Sequence, residues 1–344
     1  MLDGGRRREG IVLAMLIALF PLAGCTPSGG ESSPVAAPSS PAATPTPTVP
    51  PPALTVEEAE KALERHLATD DALRAGGALR MALELVRDGQ SALTAAAYRS
   101  KDLSPTRYRW ETTRLLVPRW QQAPYWFTAI MERRALRGGE PRTVLLTLMK
   151  DSEEGRWRLS FASVLAEDSE LPEFAVDEDG YAVSLPTRDE SVAVSPQLMA
   201  PLHASVAEEG EKGFSAELIA PGPFTTGYSD EIAERKRRAK HDGLNYDSIF
   251  SATQSPIFAL RTEDGGALVL YELSRTTSLS AKLPSAPWID VPREARWATD
   301  ERALAGELRI TETHQYASVV PPRESDEPAR VIAYDGAVTR VSGK

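Results

Sequence analysis

A single cysteine, Cys25, stands in 344 residues. One chain therefore cannot close a disulfide, assemble a cysteine zinc cluster or run a dithiol redox couple. Histidine is nearly as scarce, and the four copies, His66, His203, His241 and His314, are too far apart in sequence to form a local metal pair. A His-Glu-x-x-His helix, a Gly-x-Ser-x-Gly elbow, a phosphate loop and a dinucleotide glycine fingerprint are all absent. The expectation is of no metal and no cofactor. Positive charge is in deficit, with 39 Lys and Arg against 49 Asp and Glu and a net charge of −10. That balance argues against nucleic acid, whose affinity rests on cations neutralising phosphates, and against adhesion of the protein surface to anionic lipid. The apolar run Ile11–Phe20 falls short of the roughly 20 residues a helix needs to cross a bilayer.

That same run is informative for another reason. It follows the cationic start Arg6-Arg7-Arg8 and precedes Leu22-Ala23-Gly24-Cys25, an order that resembles a secretory signal ending in a bacterial lipobox. The resemblance implies cleavage after residue 24, acylation of Cys25 and an anchor on the extracytoplasmic face of the cell membrane. Two or more acyl chains anchor stably where one does not. Residues 25–53 are almost wholly Pro, Ser, Thr, Ala and Gly without an aromatic residue, too poor in apolar surface to offset their ordering entropy. They read as a tether. Arginine outnumbers lysine and Asn245 is the sole asparagine, a bias that resembles a GC-rich genome such as an actinobacterium's.

Order is expected from residue 54. Thr55-Val56-Glu57-Glu58 spells a capping box, and Val56, Ala59, Leu63 and Leu67 repeat at helical spacing behind it. Further helical patterns cover Leu79–Val86, stopping near Asp88-Gly89, and Leu93–Tyr98. After Pro105 the period shortens to two, which predicts strands over Arg107–Val117, Tyr125–Ala135, Arg142–Lys150 and Arg156–Leu165. Phe174–Val176 and Tyr181–Val183 flank an Asp-Glu-Asp-Gly turn and read as a hairpin. The pattern then restarts. Ser195-Pro196 opens a helix, a charged helix ends at His241, and strands follow at Ile257–Thr262, Ala267–Ala281, Glu307–Val320 and Arg330–Val341.

The expected fold class is α+β, two tandem domains over residues 54–188 and 189–344, each with N-terminal helices packed on a curved antiparallel sheet. The shared order suggests a duplication. It also resembles the cone-shaped fold of nuclear-transport-factor-2-like and cystatin-like proteins. Leu115-Leu116-Val117-Pro118-Arg119, with Tyr125-Trp126-Phe127 after it, resembles a domain of unknown function found in actinobacterial lipoproteins.

Two sets of residues stand out as candidate contact sites. On the Glu307–Val320 strand, alternation puts Glu312, His314 and Tyr316 on one face, where a carboxylate, an imidazole and a phenol could line a pocket wall and suit acid-base chemistry. A solvated stretch near a strand end is the other reading of those residues. Tyr125-Trp126-Phe127 sends adjacent aromatics to opposite faces of a strand, so one side must meet something besides the main core, the second domain being the expected contact. His66 and His203 adjoin helical apolar stripes and are expected at the core's edge. The basic run Arg235–Lys240 reads as a solvated helix face supported by Glu231. Together these features predict a lipid-anchored envelope module that binds a protein, glycan or lipid without catalysis. The alternatives are an acid-base isomerase or hydrolase, or a lipid carrier.

Overall fold

The capping box at Thr55 opens the first helix. The Thr55 hydroxyl accepts from the Glu58 N–H at 3.2 Å, and the Glu58 carboxylate accepts from the Thr55 N–H at 2.9 Å. The computed structural model describes residues 52–283 and 288–344, so the expected signal peptide, Cys25 and nearly all of the tether lie outside the described residues. From the cap run α1 (Val56–Ala75), the single turn α2 (Leu79–Ala82) and α3 (Asp88–Arg99). The strands β1 (Tyr108–Leu116), β2 (Tyr125–Ala135), β3 (Arg142–Lys150) and β4 (Arg158–Leu165) follow as an antiparallel meander. A second helical pair, α4 (Pro196–Glu209) and α5 (Thr226–His241), precedes β5 (Leu244–Ala252), β6 (Phe258–Arg261) and β7 (Ala267–Ala281). The short pair β8 (Ile289–Asp290) and β9 (Ala303–Leu304) then leads to the long strands β10 (Glu307–Val320) and β11 (Arg330–Gly343).

All the long strands join one sheet in the order β1-β2-β3-β4-β11-β10-β7-β5, with β6 continuing the line of β5 along β7. Each half therefore contributes four ranks of strands, and the two last strands, β4 and β11, meet antiparallel in the middle. Pro50–Lys344 forms one compact unit, and the expected boundary near residue 188 falls in the irregular stretch between β4 and α4. That stretch holds the predicted hairpin, whose residues bridge to both halves: Ala182 to Pro118, and Phe174 and Ser184 to Thr262 and Leu260.

Helices cover one face of the sheet. Leu54, Ala59 and Leu63 pack on Phe127, Met131 and Leu146, while α4 and α5 cover Val269, Tyr271 and Tyr316. The other face closes on itself. Trp126 of β2 meets Phe258 of β6 edge to face at 5.1 Å, in one cluster with Leu145, Leu270 and Ile332. Those strands lie six steps apart along the sheet, ~29 Å if it were flat at ~4.8 Å per step. The sheet must therefore curl until its far strands touch, and the antiparallel curved sheet expected from the strand pattern is what forms.

The seam is narrow. β4 and β11 pair only at Val164↔Tyr334 and Leu165↔Ala333. Beyond those pairs the strands splay, and α3 packs against β4, β11 and β10 in the gap. Two substitutes satisfy the freed edge of β4: Arg87 N–H donates to Leu159 O at 2.9 Å, and the Gln315 side chain accepts from Ala162 N at 2.9 Å while donating to Ser160 O at 3.0 Å. The sequence placed Asp88-Gly89 at the end of a helix, but it begins one. Asp88 takes a left-handed φ of 50°, which turns the chain into α3, and Gly89 lies so close to the buried Glu272 carboxylate that a Cβ there would overlap it. The sequence pattern also missed β5, whose alternation of apolar and polar residues is inverted where Ser248 is buried and Ile249 exposed.

Candidate functional site

A cleft of about 840 Å³ opens between α1, α3 and the sheet. Its first wall is one stripe of α1, where His66, Asp70 and Arg74 recur every four residues and so share a face. Arg74 donates to Asp70 at 2.6 Å with both side chains mostly covered, which neutralises each. His66 is buried and its Nδ1 has no hydrogen-bond partner. Burial pushes that imidazole below its ordinary range, so it is neutral near pH 7.

The second wall is α3. Gln90 and Thr94 lie one turn apart, and Gln90 Nε2 donates to Thr94 Oγ1 at 3.3 Å. Gln90 Oε1 is left without a partner although the residue is only 8% exposed. A buried polar atom without a bond costs about 1–3 kcal/mol, and native structures hold few of them. Two line this cleft.

The floor is aromatic and charged. Tyr108 and Trp110 of β1 lie 5.6 Å apart, and the Arg133 guanidinium sits 4.7 Å over the Tyr108 ring. Register explains the grouping, since Arg133 on β2 pairs with Trp110 on β1. Among the described residues Arg133 has no ion-pair partner within 4.0 Å. Asp335 comes in from β11 at the splayed seam, and burial raises its carboxyl above the usual range, opposed in part by Arg133. Trp297 and Arg293, from a short 3₁₀ turn of the second half, complete the rim.

The structure does bring Glu312, His314 and Tyr316 together, but under helices. His314 Nδ1 lies 2.8 Å from Tyr316 Oη, and Tyr316 Oη lies 3.1 Å from Tyr228 Oη on α5. Glu312 stands 3.6 Å from His314 and 3.7 Å from Arg275, which also reaches Glu231. Burial works against the Glu312 carboxylate, yet His314 and Arg275 outweigh it and hold the group below its usual range. His314 is 1% exposed and ringed by Tyr228, Phe250 and Tyr334. The solvated alternative for these residues is overturned, because α4 and α5 cover the strand from which they project.

Tyr125 and Phe127 face α1 in one core, and Trp126 faces the opposite cluster against Phe258 and Trp120. All three are buried, so none is an exposed anchor. His66, expected at the core's edge, lies inside the cleft wall. The spacing of His66, Asp70 and Arg74 was a readable signal for a polar stripe on α1. Arg133 and Asp335 carried none, being 202 positions apart in sequence until the sheet brings them together. Among the described residues no group of three His, Cys, Asp or Glu is placed to hold a metal ion, and no helix is long and apolar enough to cross a membrane.

The chain is similar to an uncharacterized lipoprotein of Streptomyces coelicolor, 30% identical over 282 residues that cover 77% of this chain and 78% of that protein. A second lipoprotein of the same organism is 26% identical over 356 residues, covering 98% of this chain and 95% of the relative. A lipoprotein of Streptomyces avermitilis is 30% identical over 221 residues, or 62% of this chain and 59% of that one. No solved structure matches the chain at a comparable level of significance. The sequence profile of the family described as "Domain of unknown function (DUF8094)" matches residues 50–343. By that match the chain belongs to the DUF8094 family, and its relatives include lipoproteins of Streptomyces, an actinobacterium.

Proposed function

We propose that this protein is a lipid-anchored binding module of the bacterial cell envelope that holds its ligand in the cleft between α1 and α3. The single observation that carries the reading is the pair of orphaned buried atoms, His66 Nδ1 and Gln90 Oε1, lining an open cavity. A ligand that bonds both removes a cost of about 1–3 kcal/mol per group, which is binding energy already built into the site. The lipobox-like Cys25, the tether and the lipoprotein relatives support attachment to the membrane's outer face. The Glu312, His314 and Tyr316 wall supports catalysis less, because its imidazole is only 1% exposed beneath α5 and its Nδ1 is bonded to Tyr316, although its Nε2 has no hydrogen-bond partner.

The test places a photoreactive phenylalanine analogue at Lys101, on the cleft rim, or at Lys212, in the turn after α4, in living cells. Adducts from Lys101 and not from Lys212 are expected. Equal or absent adducts at the two positions would remove the cleft from consideration.

A further inference from the structure

We infer that the cleft takes a saccharide: a neutral, hydroxyl-rich ligand with apolar ring faces, held by Gln90, His66 and the aromatic floor and rim. The inference rests on the reading of the cleft as a ligand site and names what enters it. Gln90 Oε1 can only accept a hydrogen bond, while His66 Nδ1 donates or accepts according to its tautomer. A hydroxyl group serves both, because it donates one bond and accepts others.

The apolar side of the argument comes from the rings. Trp110 and Trp297 line the same cavity, and their π faces suit the C–H face of a sugar ring, while the Tyr108 ring beside them carries the Arg133 guanidinium. Charge then discriminates between ligand classes. With Asp70 and Arg74 paired, Asp335 and Glu294 stand against Arg133, Lys101 and Arg293, so the lining carries a formal charge of only +1 with its one buried carboxyl, Asp335, among the cations. A phosphorylated ligand would bring its anion toward the buried Asp335 carboxyl. An acyl chain would leave Gln90 and His66 unbonded, the costlier arrangement for buried polar atoms. A polyol with ring faces avoids both penalties. The volume of about 840 Å³ lies in the upper part of the range for ligand pockets and suits a short oligosaccharide rather than one small molecule.

The test uses full-length protein in lipid nanodiscs and saturation-transfer NMR, with protein-free nanodiscs as reference. The probes are tetrasaccharides of glucose, N-acetylglucosamine, mannose and arabinose, with octanoate and methyl phosphate, whose methyl protons report binding, as the competing classes. At least one tetrasaccharide is expected to receive saturation, strongest on its ring C–H protons. Trp297→Ala and Gln90→Leu should each weaken that binding about tenfold. Leu198→Ala, on the exposed side of α4, should leave it unchanged. Thermal melts confirm that each variant folds. Because Gln90→Leu keeps size and removes an unsatisfied atom, it tests the site without opening a cavity. Octanoate or methyl phosphate binding that these variants abolish, with no saccharide response, would overturn the saccharide and leave the cleft as the ligand site. Silence from every probe would also overturn the saccharide, and the cleft itself would then be judged by the Lys101 adducts.

Discussion

Gln315→Leu should loosen the middle of the sheet more than any surface change could. Its amide accepts from Ala162 N at 2.9 Å and donates to Ser160 O at 3.0 Å, standing in for the strand that β4 lacks where it splays from β11. Leucine has similar bulk but bonds to neither group. Two backbone groups of β4 are then buried without partners at about 1–3 kcal/mol each, for a combined loss of roughly 4 kcal/mol. At roughly 2–4 °C per kcal/mol for a unit of this size, the melting temperature falls by about 8–16 °C. Urea denaturation followed by tryptophan fluorescence gives the free energy, and hydrogen exchange at the Ala162 amide gives its location. Gln315→Glu provides a check of sign. Its carboxylate still accepts from Ala162 but faces the Ser160 carbonyl and Glu272, so it should be worse than wild type at neutral pH. The deficit should narrow in acid, where the protonated group can donate. A loss below about 1 kcal/mol for Gln315→Leu, with Ala162 exchange unchanged, would refute the idea that this side chain closes the seam.

Gly89→Ala should destabilise the protein by more than the few tenths of a kcal/mol usual for a surface change, because the new methyl overlaps the Glu272 carboxylate. In a double-mutant cycle Glu272→Ala should recover much of the loss, and strict additivity would contradict the contact. Burial, only partly offset by the bond to Phe224 O, holds His203 down at about 4 against its ordinary 6.5. The unfolded chain therefore takes up a proton that the folded chain refuses. This contribution is fully present above pH 6.5 and is lost as pH falls toward 4, about 3 kcal/mol in all. Denaturation curves of wild type and His203→Gln should converge across that window, and parallel curves would contradict the linkage. Cys25→Ala should shift the protein from the membrane to the soluble fraction and abolish incorporation of an alkynyl fatty acid. Retention of either would exclude this cysteine as the anchor.

Local chemistry was legible wherever neighbours in sequence decide the outcome. The capping box follows from Thr55 and Glu58 being three apart, and the eight long strands expected are all recovered within about two residues at each end because period-two alternation survives in them. Even β6, held to four residues by Pro256 and the turn at Gly265, lies within one residue of its expected ends. The sequence also placed Glu312, His314 and Tyr316 on one face correctly, as the pleat of a strand requires. What covers that face was out of reach, because α4 and α5 are separate segments whose docking depends on the whole apolar surface of the second half. The same limit applies to the cleft. Nothing near Asp335 in the chain announces that β4 and β11 will meet at two residue pairs and then part around α3. Sequence alone determined most of the helices and long strands and displayed the lipobox pattern, all products of short-range spacing. Only the tertiary structure decided that both halves share one curled sheet, and that its incomplete seam sets His66, Gln90, Arg133 and Asp335 around a single opening. Edge pairing and curvature are settled by contacts between residues far apart in the chain, where no local pattern records them.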